Sequence, residues 1–403
     1  MKEINIGLAG FGTVGQALYK VIEQARNVHA RIAKICVRSL TKPREVRVPE
    51  SLLTTSFTEI TRNPDIDLVV EVIDDPETSF RLVSDALRNG KDVVSGNKAM
   101  LARHLPELME LQRQTGKALL YDASSCGSIP VIRNLEEYYD NDLLLEVKGI
   151  LNGSSNYILS RVFDHNEDYA DALERAQKLG FAESDPSHDI SGNDSLNKLV
   201  IITLHAIGVY VAPADVFVYG IPTLGQEDIL YAREKGMKIK LVAQVVKLSD
   251  DLFTMFVMPE FVAPNRYIYA VDDEYNGVVI RGECYDRQFM FGKGAGGLPT
   301  ASSLLSDITA LRHDYRYEYK KTAFAPRPGY TTDIPLKIYA RFSKTNLLDG
   351  LPWLTVSEEY RSESFRYVVG EILLADLIKS RKLLEAEDVF LCNFPRFFTE
   401  RDD

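Results

Sequence analysis

The chain has 403 residues, 45% of them hydrophobic and 26% charged, with a formal net charge of −11. That is the composition of a folded protein of two or three domains, and its excess of acid excludes a phosphate-backbone binder, which needs clustered Lys and Arg. The four cysteines, with no C-x-x-C pair, make neither a disulfide framework nor a zinc knuckle, and no apolar run is long enough to span a bilayer, so a soluble cytoplasmic protein without membrane or nucleic-acid partners is expected.

Glu3 to Ala9 is short and mostly apolar, as a strand buried on both faces of a parallel sheet must be. Gly10-Phe11-Gly12-Thr13-Val14-Gly15 follows at once, and Val14, Ala17, Leu18, Val21 and Ile22 then recur at helical spacing before a second strand at Arg31 to Val37. In such a βαβ unit the first glycine permits the tight turn, the second lets backbone approach a pyrophosphate, and the third allows close helix–sheet packing. The helix N-terminus then holds the negative charge. The acid that normally takes the ribose 2′-hydroxyl of NAD is missing from residues 31–40, where Arg38, Ser39, Lys42 and Arg44 gather instead. That cluster suits a 2′-phosphate, so NADP is expected ahead of NAD; a solvated basic loop is the competing reading.

Strands at 67–73, 92–95 and 118–121 alternate with helical stretches such as 79–89, which extends a doubly wound Rossmann-type sheet over residues 1–125. Lys98, in Gly96-Asn97-Lys98-Ala99, directly follows one of these strands, and ligands in open sheets bind beyond the carboxyl ends of strands. Past Pro130 the pattern changes to longer strands at 145–151, 239–248, 252–257 and 278–282, with helices at 168–179 and 194–207, giving an α+β substrate and dimerisation domain over 126–297. A helix from Pro299 to Leu311 is expected to bring 298–315 back onto the first domain. Residues 316–403 form a short C-terminal α+β segment of unassigned role, with strands at 336–342 and 389–392 and a helix over 369–380.

The densest polar run lies between Glu183 and Lys198 and contains Asp185, His188, Asp189 and Asp194. Asp194 and Lys198, spaced i,i+4 at the head of an apolar helix, share one face. Burial lowers a lysine pKa and a neighbouring carboxylate raises it, which is how a catalytic acid is tuned; such a pair is also an ordinary helix stabiliser. His188 and His205 lack metal-ligand spacing and read as structural.

Together, Gly10 to Gly15, Gly96 to Ala99, Gly127-Ser128-Ile129-Pro130, Gly149 to Tyr157, Glu183 to Lys198 and Gly294 to Ser302 resemble homoserine dehydrogenase over about residues 1–320. The resemblance implies NAD(P)-dependent interconversion of L-homoserine and L-aspartate 4-semialdehyde, on the route to threonine, methionine and isoleucine. It implies Lys198 as general acid/base, with Asp194 and Lys98 assisting. Glu183, Asp189, Gly153 and Ser154 would bind substrate, and Phe11, Thr13, Val14, Arg38, Lys98 and Gly296 would join the loop glycines at the cofactor. A monovalent cation, Na+ or K+, is implied at Asp122, Ser125, Gly127 and Ile129, and a homodimer is implied as the assembly. Asp122 stands where the family more often has Glu, and Asp74-Asp75 replace a glycine-rich pair, adding charge that works against an extra phosphate. Two rivals remain open: a semialdehyde dehydrogenase using Cys126 as nucleophile, which would need a histidine base, and a dinucleotide-sensing protein without chemistry.

Overall fold

Leu68, Val69 and Val70, followed by Glu71 and all buried with it, show why the first sheet is parallel and covered on both faces. In the computed structural model, which describes residues 3–25, 27–182, 185–342, 350–386 and 388–395, the chain divides into two units. One comprises 1–141, 200–213 and 292–324; the other comprises 142–199, 214–291 and 325–403.

The first unit runs β1 (Ile4–Ala9), α1 (Thr13–Gln24), β2 (Ala30–Cys36), β3 (Leu53–Thr54), α2 (Thr58–Thr61), β4 (Leu68–Glu71), α3 (Pro76–Arg88), β5 (Asp92–Ser95), α4 (Lys98–Thr115), β6 (Leu119–Leu120), α5 (Ala123–Cys126) and α6 (Val131–Glu137). Its sheet has the order β3-β2-β1-β4-β5-β6 with every pairing parallel, the doubly wound arrangement that reverses direction beside β1. Side chains set the helix starts. Asp75 caps α3 through the Thr78 amide with Pro76 in the first turn, and Asn97 caps α4 through the Met100 amide.

The second unit begins with β7 (Leu144–Ile150), α7 (Gly153–His165), α8 (Tyr169–Leu179), α9 (Ser187–Ile190) and α10 (Asn193–Ile207), whose end from Val200 is assigned to the first unit. It continues with β8 (Phe217–Val218), α11 (Gln226–Glu234), β9 (Lys238–Lys247), β10 (Leu252–Val262), β11 (Tyr275–Gly282) and β12 (Asp286–Lys293). After α12 (Gly297–Leu311), which packs on α1 in the first unit, come β13 (Gly329–Tyr330), β14 (Pro335–Phe342), β15 (Thr355–Arg361), β16 (Arg366–Leu373), α13 (Leu374–Lys379), α14 (Arg381–Ala386) and β17 (Val389–Phe394). One sheet orders these strands β12-β11-β7-β9-β10-β17-β14-β16-β15, with β8 and β13 pairing β10.

Two sequence expectations change here. The helix expected over 369–380 is strand β16 as far as Leu373, because Tyr367, Val368 and Val369 pair with β14 on one side and β15 on the other, and only then does a helix begin. The segment 316–403 is not a third body: its residues from 325 share a core with Phe217, Phe256 and Met258 of the same unit.

Candidate active site

The glycine loop leaves β1 at Ala9 and enters α1 at Thr13. Gly10 has φ +100°, and a Cβ there would lie 2.4 Å from the Val72 carbonyl oxygen; at Gly15 it would lie 2.3 Å from that of Gly10. Both positions exclude any larger residue. A Cβ at Gly12 would meet nothing within 4 Å among the described residues, which leaves the space over this residue open to a ligand. The Gly10 amide donates to the Cys36 carbonyl at 3.0 Å, fixing the loop to the end of β2. At the head of α12 a Cβ on Gly297 would touch Thr13 at 3.3 Å, so Gly296, with φ +118°, belongs to the same corner.

The basic cluster separates on inspection. Arg44 turns inward, donating to the carbonyls of Ser39 at 2.5 Å and Lys42 at 3.0 Å, and so builds the loop. Arg38 is exposed at the end of β2 and, after the Thr78 hydrogen bonds and Arg81, helps hold the Asp75 carboxyl below its ordinary range. Lys98 opens α4 behind a buried network. Ser95 Oγ donates to Glu71 Oε2 at 2.6 Å, the Asn97 amide donates to Ser95 Oγ at 3.1 Å, and Asn97 Nδ2 donates to the Ile73 carbonyl at 2.8 Å. Burial raises the pKa of Glu71.

In the second unit the chain leaves β7 through Leu151 and Asn152 into α7. A Cβ on Gly153 would lie 2.6 Å from the Glu274 carbonyl oxygen. Lys198 Nζ lies 2.7 Å from Asp194 Oδ2 and 2.6 Å from the Leu151 carbonyl, with only 7% and 8% of the two side chains exposed. A buried ammonium is tolerable only when paired and hydrogen-bonded in this way. Asn152 Nδ2 donates both to Asp189 Oδ1 at 2.7 Å and to Asp194 Oδ2 at 2.9 Å. Ser154 Oγ donates to the Phe181 carbonyl at 2.6 Å. The structure therefore brings Lys198, Asp194, Asp189 and Gly153 around Asn152. Glu183 lies outside the described residues.

At the implied cation loop, Asp122 Oδ1 accepts from the amides of Ile132 at 2.8 Å and Arg133 at 3.2 Å, which caps α6. Ser125 Oγ is buried with no hydrogen-bond partner among the described residues, and Gly127, at φ +57°, would place a Cβ 2.5 Å from Gly294. Among the described residues no three His, Cys, Asp or Glu converge as a metal cage.

Cys126 is fully buried, whereas a thiolate nucleophile must be reached by its substrate. His205 is held by Glu136 at 2.5 Å and by Tyr121 at 2.8 Å in a closed network of the first unit. The sequence pattern did not reveal Asn152 as a bridge. Its signal was its place as the residue before a helix, followed by serine three positions on, which announces a cap and says nothing of the second side of the amide.

A parallel sheet of this order with a glycine loop open at its second glycine marks the dinucleotide-binding half of a nicotinamide-dependent oxidoreductase, and a lysine held between carboxylate and carbonyl is what such an enzyme needs to move a proton. Residues 10–122 match the family description "Homoserine dehydrogenase, NAD binding domain", and residues 130–309 match "Homoserine dehydrogenase". The chain is 34% identical over 350 residues to the homoserine dehydrogenase of Bacillus subtilis, covering 85% of this chain and 80% of that one. A solved homoserine dehydrogenase from Thiobacillus denitrificans superposes with TM-score 0.83 at 28% identity and covers 98% of both chains, so the likeness runs past residue 320 to the C-terminal strands. A hyperthermophilic archaeal homoserine dehydrogenase solved with NADPH gives TM-score 0.66 at 25% identity, covering 78% of this chain and 99% of that one. The chain belongs to the homoserine dehydrogenase family, oxidoreductases that act on a CH–OH group. Neither the cysteine-dependent dehydrogenase nor the non-catalytic reading is favoured.

Proposed function

We propose that this enzyme interconverts L-homoserine and L-aspartate 4-semialdehyde with Lys198 as the proton-handling group, and the observation that carries the mechanism is the buried Lys198–Asp194 pair. The nicotinamide, when bound, accepts or returns the hydride. In the oxidising direction the carbinol C–H bond breaks with its electron pair, the hydroxyl proton passes to neutral Lys198, and the C–O bond becomes a carbonyl. In reduction the Lys198 ammonium returns that proton, and its charge stabilises the developing alkoxide. Asp194 orients the oxygen, Lys98 assists, and Glu183, Asp189, Gly153 and Ser154 bind the amino-acid end of the substrate.

Gly10 to Gly15 cradle the pyrophosphate, with Gly296 beside them; the open space at Gly12 supports this. NADP is preferred over NAD through Arg38, which is supported by its exposure at the end of β2 and opposed by its neighbour Asp75. A monovalent cation at Asp122, Ser125, Gly127 and Ile129 is supported by the orphaned Ser125 hydroxyl. Assembly as a cytoplasmic homodimer is supported by Phe291 and Tyr267, aromatic side chains exposed at and beside edge strand β12.

The test is nicotinamide absorbance with L-homoserine and either NADP or NAD. Turnover is expected with both and faster with NADP, and Lys198→Ala is expected to lower kcat by about 10²–10⁴-fold, the usual contribution of a positioned acid/base. No turnover with either dinucleotide overturns the reaction, and a full rate in Lys198→Ala overturns the mechanism.

A further inference from the structure

The Asn152 side chain makes three hydrogen bonds, each to a different element. Its Oδ1 accepts from the Ser155 amide at 2.8 Å and caps α7. That contact fixes which way the amide faces, because turning it over would aim an NH2 group at a backbone N–H. The two hydrogens of Nδ2 are therefore held toward Asp189 Oδ1 on α9 and Asp194 Oδ2 on α10. The preceding residue, Leu151, supplies the carbonyl that accepts from Lys198 Nζ. Two adjacent residues at the mouth of β7 thus touch the lysine and both of the acids around it.

The chemistry of this arrangement is specific. Asp194 Oδ2 receives Lys198 Nζ at 2.7 Å and Asn152 Nδ2 at 2.9 Å on the same oxygen. A neutral donor on that oxygen favours the ionised carboxylate and draws off part of its basicity, which weakens its hold on the lysine proton. The same NH2 group stands between two carboxylates that would otherwise repel. A capping residue alone needs only an acceptor; a serine or an aspartate supplies that equally well.

We propose that Asn152 is a positioning residue for the reaction. By forking its amide hydrogens onto Asp189 and Asp194 it holds the two carboxylates in place and fixes the one against which Lys198 gains and loses its proton. The proposal rests on the function assigned above to Lys198. The amide meets the carboxylates of Asp189 and Asp194, Lys198 meets Asp194, and His188 lies next to Asp189 on α9.

The test compares Asn152→Ser and Asn152→Asp, which both retain an acceptor for the Ser155 amide, with the wild-type enzyme. L-Homoserine oxidation is followed between pH 6 and 10, and Tm is measured alongside. Asn152→Ser is expected to melt within a few degrees of wild type, to lose at least tenfold in kcat with a smaller change in KM, and to show an acid limb of the kcat profile displaced from that of wild type. Asn152→Asp, with a third carboxylate beside the other two, is expected to lose more and to displace the limb further. A wild-type kcat and pH profile in both variants overturns the proposal, since the cap alone then accounts for Asn152. So does a failure of both variants to fold, which assigns the residue to the fold. Absence of wild-type turnover instead overturns the functional reading on which the proposal rests.

Discussion

Gly12 and Gly15 are three residues apart in one loop and meet different surroundings. A methyl group on Gly15 runs into the Gly10 carbonyl at 2.3 Å, with no flexible side chain to give way. Gly15→Ala is therefore expected to cost about 1–3 kcal/mol of stability, as overpacking does. A methyl group on Gly12 meets no atom of the described residues within 4 Å, and the residue already sits at φ −83°, which any amino acid adopts. Gly12→Ala is expected to melt as wild type does while dinucleotide affinity falls at least tenfold, because the methyl occupies the space through which a pyrophosphate approaches backbone. Thermal melts and a titration of nicotinamide fluorescence separate the two, and an unchanged affinity in Gly12→Ala would remove the cofactor from this loop. The spacing of these glycines was legible from sequence because their reason is local. The Asn152 fork was not, since its acceptors lie on α9 and α10 and nothing at position 152 specifies either.

Between elements, α12 is tied to α6 by a buried carboxylate. Asp307 accepts from Arg133 Nη2 at 2.6 Å and from the Asp122 amide at 3.0 Å, and its side chain is fully buried among the apolar residues of α12. Burial first, and then the Asp122 carboxylate, push the Asp307 pKa up to about 8, while Arg133 pulls the other way. A carboxyl group that holds its proton more tightly when folded stabilises the protein fully below its ordinary value of 3.8, and this contribution is lost as pH rises toward 8. Wild-type Tm relative to that of Asp307→Asn, which carries no titrating proton, is accordingly expected to fall steadily between pH 5 and 8. A difference that stays flat over that range would mean that Asp307 is ionised throughout. Helix α12 was readable from its apolar spacing, but an aspartate on its buried face has no sequence signature, because the arginine that makes it tolerable is 174 positions away.

For the molecule as a whole, the informative part is the one that the sequence left least readable. Strands β14 to β17 lie in the order β17-β14-β16-β15 with antiparallel neighbours, and helices α13 and α14 join β16 to β17. Such pairing is non-local, so β15 and β16 showed too little alternation of their own to be recognised, and β16 from Val369 onward was absorbed into an apparent helix. One face of β14, with Leu336, Ile338, Ala340 and Phe342, joins the core that contains Phe217, Phe256 and Met258. The other face presents Tyr339 and Arg341 to Asp228 of α11, whose carboxylate accepts from Arg341 Nε at 2.9 Å and from Tyr339 Oη at 3.0 Å. Both members of this ion pair are buried, so its two halves are not equivalent to delete. Asp228→Ala leaves a buried guanidinium with only the exposed Asp388, 3.6 Å away, as counter-charge and is expected to cost about 3–5 kcal/mol in denaturant unfolding. Replacing both partners with apolar residues, Asp228→Leu with Arg341→Met, is expected to recover most of that loss, because desolvation of the two charges offsets much of their attraction. If the double variant is as unstable as Asp228→Ala, the attraction within the pair exceeds its desolvation cost, and the ion pair itself, beyond the shared apolar core, fastens β14 to α11.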